Sequence, residues 1–202
     1  MRPKDQAEFE ALRATIRERG TARVVLFFVA IAVWAALTVA TTAVIVLPVA
    51  ALLPLLVLAA GFETTSSLHI GVERIGRYIQ AAHEDQPFDD PQGKPGWETT
   101  AMKFGARGRT IGPDALFSAV YVLAGVANFL PVALTAQTRE EMVAIGALHA
   151  LFVWRVLTLR RAVATQREQE LAVFRQILEG AKGARGRRDG LNAEAAEDAK
   201  TD

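Results

Sequence analysis

The chain has 202 residues, half of them hydrophobic, with a formal net charge of +1 and no cysteine. The near-neutral balance leaves no global basic footprint for nucleic acid. The missing cysteines exclude disulfides, thiolate metal sites and cysteine nucleophiles. The placement of the apolar residues says more than their number. Val24–Phe62, Ala115–Thr138 and Met142–Trp154 contain no Asp, Glu, Lys or Arg. A helix of a water-soluble domain keeps a wet face, and these stretches have none. The expected fold class is all-α: a polytopic integral membrane protein with four transmembrane helices as two hairpins and cytoplasmic amphipathic extensions.

Residues 3–19 read as a short amphipathic helix, because Phe9, Leu12 and Ile16 share one face of a 3.6-residue period. Arg13, Arg17 and Arg19 lie off that face, suited to lipid phosphates or to a cytoplasmic partner helix. Gly20 is expected to break this helix before the first span, and residues 1–22 form an N-terminal segment. Asp5, Glu8, Glu10 and Glu18 do not fit the short basic start of a secretory signal. Val24–Phe62 is too long for one crossing of about 20 residues, so a tight turn must divide it. Thr41–Thr42 and the backbone breakers Pro48 and Pro54 bracket the choices, and a turn between Thr41 and Pro48 is favoured.

Residues 23–67 thus form the first hairpin. The helix should continue to about His83, because Leu68, Val72, Ile75, Ile79 and Ala82 make a heptad-like stripe. Glu73 and Arg77 have the spacing of a favourable ion pair. Asp85–Gly96 reads as a loop. The third span should start at Pro113, a residue suited to a first helical turn, and run to Thr135. Gln137–Glu141 makes a minimal loop. The fourth span ends near Leu159, with Trp154 and a snorkelling Arg155. Beyond it, Ala164, Arg167, Leu171, Phe174 and Leu178 form another stripe. Gly180 should end that helix, leaving residues 181–202 disordered. GARGRR, near the C-terminus, could touch anionic headgroups or be a solvated tail.

Basic residues set the orientation. Arg2, Lys4, Arg13, Arg17, Arg19 and Arg23 precede the first span. Arg74, Arg77, Lys94, Lys103, Arg107 and Arg109 fall between the hairpins, and Arg160, Arg161 and Arg167 follow the last span. The two short turns hold only Arg139. Both termini and the middle loop are therefore expected in the cytoplasm, in a bacterial inner membrane.

Four polar residues are candidates for function: Glu63, His69, Glu73 and His149. Glu63 lies about 22 Å along its span if the turn is at Pro48, inside the hydrocarbon and a candidate for an ion path, proton relay or interhelical contact. With a turn at Thr41–Thr42 it merely ends the span. His69 and Glu73, with Glu63 read as close to their face, have metal-ligand chemistry, yet a solvated helix face explains them better. His69 and His149 could ligate haem, but their depths differ by about 10 Å. Asn128 and Tyr121 are expected to hydrogen-bond between helices, and Pro131 to kink the third span.

There is no Gly-rich phosphate loop, HExxH or GxSxG, and Ser118 has no base, so an enzyme is not expected and no cofactor or metal is predicted. Three readings remain: a non-catalytic scaffold or accessory subunit, an oligomeric channel or transporter using Glu63 and His149, and a haem- or metal-binding redox protein. The expected partners are the lipid bilayer and a protein partner or second copy held through the cytoplasmic helices.

Overall fold

A computed structural model describes residues 3–44, 47–84, 96–101, 113–136 and 138–198. Among them there is no strand. The elements are α1 (Pro3–Val44), a 3-10 turn (Pro48–Ala51), α2 (Leu52–Ile79) and a π turn (Gln80–Glu84). There follow α3 (97–101), α4 (Pro113–Thr135) and α5 (Arg139–Asp198). Among the described residues, four helices are long and apolar enough to cross a membrane: Pro3–Ala43, Pro48–Glu84, Ala115–Thr135 and Arg139–Leu159. The expected loop at 85–95, the basic residues Arg2, Lys94, Lys103, Arg107 and Arg109, and the side chains of Arg160, Arg161, Ala164 and Arg167 lie outside the described residues.

Two helix boundaries differ from expectation. Gly20 does not break α1, which runs unbroken into the apolar stretch. Gly180 does not end α5, which continues to Asp198, through most of the stretch expected to be disordered. Neither glycine has a positive φ, and neither meets a neighbouring group. A lone helical glycine costs only about 1 kcal/mol against alanine, too little to stop a helix without a left-handed cap.

The chain divides into two compact units. The first contains residues 1–73 and 108–165. Its core is Phe27 of α1, Leu55, Leu58 and Phe62 of α2, Tyr121 and Ala124 of α4, and Phe152 and Val156 of α5. Aromatic edges organise it: Phe62 meets Tyr121 at 5.4 Å and Phe152 at 6.3 Å between centroids, both T-shaped, the geometry ring quadrupoles favour. The unit is turned inside out relative to a soluble bundle. Asn128 and His149 are buried, whereas Leu123 and Leu134 are 68% and 85% exposed. In water so many outward leucines and valines would form a patch far beyond ordinary monomer surfaces; against lipid tails they are at rest.

The second unit contains residues 74–107 and 166–202. Tyr78 of α2 meets Phe174 of α5 edge-on at 5.7 Å. Glu84, in the π turn, caps α3: its carboxylate accepts from the Glu98 and Thr99 backbone N–H groups at 2.9 and 2.8 Å. It also accepts from the Thr99 hydroxyl at 2.8 Å. An anion at a helix N-terminus satisfies donors that have no helical partner.

Arg77, sequence-paired with Glu73, reaches Glu170 Oε2 at 2.8 Å, while Arg74 Nη2 donates to Glu170 Oε1 at 3.0 Å. Arg77 is buried, so this contact orders α2 against α5 within the unit. Burial alone would raise the Glu170 pKa. The hydrogen bond from Arg74 and the charge of Arg77 outweigh it and hold the carboxyl below its usual range. A depressed folded pKa gives stability that is full above the unfolded value of about 4.3 and is lost as pH falls through the folded one. Glu170→Gln is therefore expected to cost about 1–2 kcal/mol at pH 7 and to flatten the acid limb of a thermal-unfolding profile. Parallel acid limbs in variant and parent would refute this assignment.

Candidate functional site

Among its described residues, the first unit brings helices together at three polar centres. The most buried is built on Asn128 of α4. Its Nδ2 donates to the Ala51 carbonyl at 2.8 Å and lies 3.0 Å from His149 Nε2 on α5. Its Oδ1 accepts from the Trp34 indole N–H of α1 at 3.2 Å. Thr38 Oγ1 sits 3.4 Å from the same oxygen, but its proton is better placed on the Trp34 carbonyl at 2.8 Å. One amide thus ties together α1, the 3-10 turn before α2, α4 and α5.

The network also fixes the imidazole. His149 Nδ1 lies 2.9 Å from the Ile145 carbonyl, which can only accept, so Nδ1 carries the proton and Nε2 accepts from Asn128. Rotating the Asn128 amide by 180° would turn donors towards the Trp34 N–H and an oxygen towards the Ala51 carbonyl, so the assigned orientation is the self-consistent one. Beside the hub lies a cavity of about 70 Å³, lined among others by Thr38, Thr41, Thr42, Asn128 and Thr135. That is room for roughly two waters among groups that can bind them.

The second centre is an ion pair. Arg155 of α5 grips Glu63 of α2 with Nε to Oε1 at 2.8 Å and Nη2 to Oε2 at 3.0 Å, a bidentate fork. The side chains are 45% and 49% exposed. Counted along each helix from its first turn, at Pro48 and at Arg139, both residues lie about 24 Å in, at matching depth. Glu63 does not end its helix, and Arg155 turns sideways to it.

The third centre joins α1, α2 and α4. Arg23 Nη1 lies 3.1 Å from His69 Nδ1, and its guanidinium stacks 4.8 Å over the Phe117 ring. Arginine only donates, so Nδ1 accepts and the other nitrogen of His69 faces Glu73 Oε1 at 3.6 Å. A lesser contact brings Thr65 Oγ1 within 3.4 Å of the buried Tyr121 hydroxyl.

His69 and Glu73 are together, as their spacing requires. Glu63 is not on their face: six residues carry a helix about 240° past one full turn. Its partner is on α5 instead. Glu63 and His149 fall in separate centres, and each nitrogen of His69 and His149 faces a protein group. Among the described residues no group of three or more His, Asp or Glu gathers as a metal site.

Sequence reading passed over Trp34, Arg23 and Arg155 as partners. The available signals were Trp34 and Thr38 one turn apart in a charge-free stretch, and opposite charges at matching depth on two spans. Comparison with protein-family models, with curated proteins and with solved structures finds no match for this chain.

Proposed function

We propose that the protein is a non-catalytic scaffold or accessory subunit of a membrane complex, set in a bacterial inner membrane as two helical hairpins with both termini in the cytoplasm. The observation that supports this best is the Asn128 hub. The most buried polar side chains of the spans are engaged in joining helices to one another, and that is an architectural use. The ion pair of Glu63 and Arg155 has the same character, since it links α2 to α5. The stripes on α2 and α5 outside the apolar stretches offer helix faces to a partner, although part of each faces the other through Tyr78 and Phe174.

A channel or transporter reading keeps one specific support, the hydroxyl-lined cavity beside Asn128. The two readings separate in native mass spectrometry of the protein released gently from its own membranes. The scaffold reading expects other polypeptides in fixed stoichiometry with the chain. A closed homo-oligomer with no other polypeptide would overturn it in favour of a channel, and added mass of a haem or metal would overturn it in favour of a redox role.

A further inference from the structure

Between α2 and α5 of the first unit runs an open groove of about 460 Å³. Leu52, Leu56 and Ala59 line one wall, and Leu148 and Leu151 the other. The same groove ends on Glu63, Trp154 and Arg155. Its length is apolar and its end carries one acid and one base, half exposed and side by side. We propose that this groove is a binding site for a phospholipid whose headgroup carries both a phosphate and a primary ammonium, with one acyl chain lying along the leucines.

The charges select the occupant. Arg155 has five N–H donors, and two face Glu63. Three remain for a phosphate. Each Glu63 oxygen accepts one hydrogen bond from Arg155 and retains a lone pair for an ammonium N–H. The pair has no net charge, so a headgroup that is itself a neighbouring anion and cation matches it, donor to acceptor and acceptor to donor.

An anionic headgroup with no ammonium would satisfy Arg155 and repel Glu63. A choline headgroup carries the charge without a hydrogen to donate. A purely apolar helix seated in the groove would strip water from the pair and return no hydrogen bond. Trp154, 60% exposed beside the pair, is the kind of residue that lies at the headgroup boundary. The site is independent of the scaffold reading, since a channel or a redox protein could hold the same lipid.

The test uses the full chain in detergent with equimolar phosphatidylethanolamine, phosphatidylcholine and phosphatidylglycerol of identical acyl chains. Bound lipid is counted by native mass spectrometry. The ethanolamine lipid is expected to be retained about tenfold over the glycerol lipid and severalfold over the choline lipid. Glu63→Leu, which removes both acceptor oxygens, should abolish the preference for ethanolamine over choline.

Ala59→Phe, which fills the groove without touching the pair, should lower retention of all three lipids. Thermal unfolding of each variant reports whether it is folded, and the lipid ratios of the unmodified chain stand without either variant. Equal retention of the three lipids, or preference for the glycerol lipid, overturns the proposal. So does a dimer of the unmodified chain that Ala59→Phe converts to monomer, because a second copy would then fill the groove.

Discussion

Replacing Asn128 with leucine is expected to destabilise the first unit by about 2 kcal/mol, although the side chains are nearly equal in size. The loss comes from what stays behind. The Trp34 indole N–H, the Ala51 carbonyl and His149 Nε2 would each lose a partner at 3.2, 2.8 and 3.0 Å. Interhelical hydrogen bonds in membranes average about 0.6 kcal/mol apiece, because the separated helices find other partners. Three lost at one buried point, with one small cavity beside them for water, set the sum. Equilibrium unfolding in mixed micelles measures it. His149→Phe in the Asn128→Leu background should add less than it does alone, since the bond between them is already gone. A loss under about 0.5 kcal/mol would mean the hub does not hold the helices together.

Gly61→Val is the second large effect expected, at about 3 kcal/mol, the upper end for over-packing. A Cβ at residue 61 would fall 2.5 Å from the Ala30 Cβ of α1 and 3.2 Å from the Tyr121 hydroxyl of α4. Neither neighbour can yield. Ala30 has no rotamer to change, and Tyr121 is fixed edge-on between Phe27 and Phe62. The helices would have to part, giving up the small-residue contact that brings their backbones together. Ala30→Gly should recover part of the loss, which a merely helix-weakening glycine change would not. Unchanged unfolding of Gly61→Val would show that α1 and α2 do not need this close approach.

The apolar stretches were legible because charge is so costly in hydrocarbon that its absence marks the helices almost by itself. α4 spans Pro113–Thr135, the range read from the sequence, since Pro113 opens it and the charge-free stretch bounds it. Gly20 and Gly180 misled, because a glycine is a stop only where the backbone turns left-handed.

The polar centres were half legible. Glu63, His69 and His149 stand out as polar residues in or beside apolar helices, and Asn128 reads as an interhelical bonder. Their partners do not follow from one-dimensional spacing. Arg155 is 92 positions from Glu63, and Trp34 is 94 from Asn128. Helix phase and depth together decide such pairs, and the sequence gives depth only relative to a turn it does not locate.

The Asn128 hub also bears on how the chain is made. Trp34 and Ala51 are synthesised well before Asn128 and His149. Asn128 follows Trp34 by 94 positions and Ala51 by 77. The junction of four elements is therefore complete only once the third and fourth long helices exist, and one amide closes it.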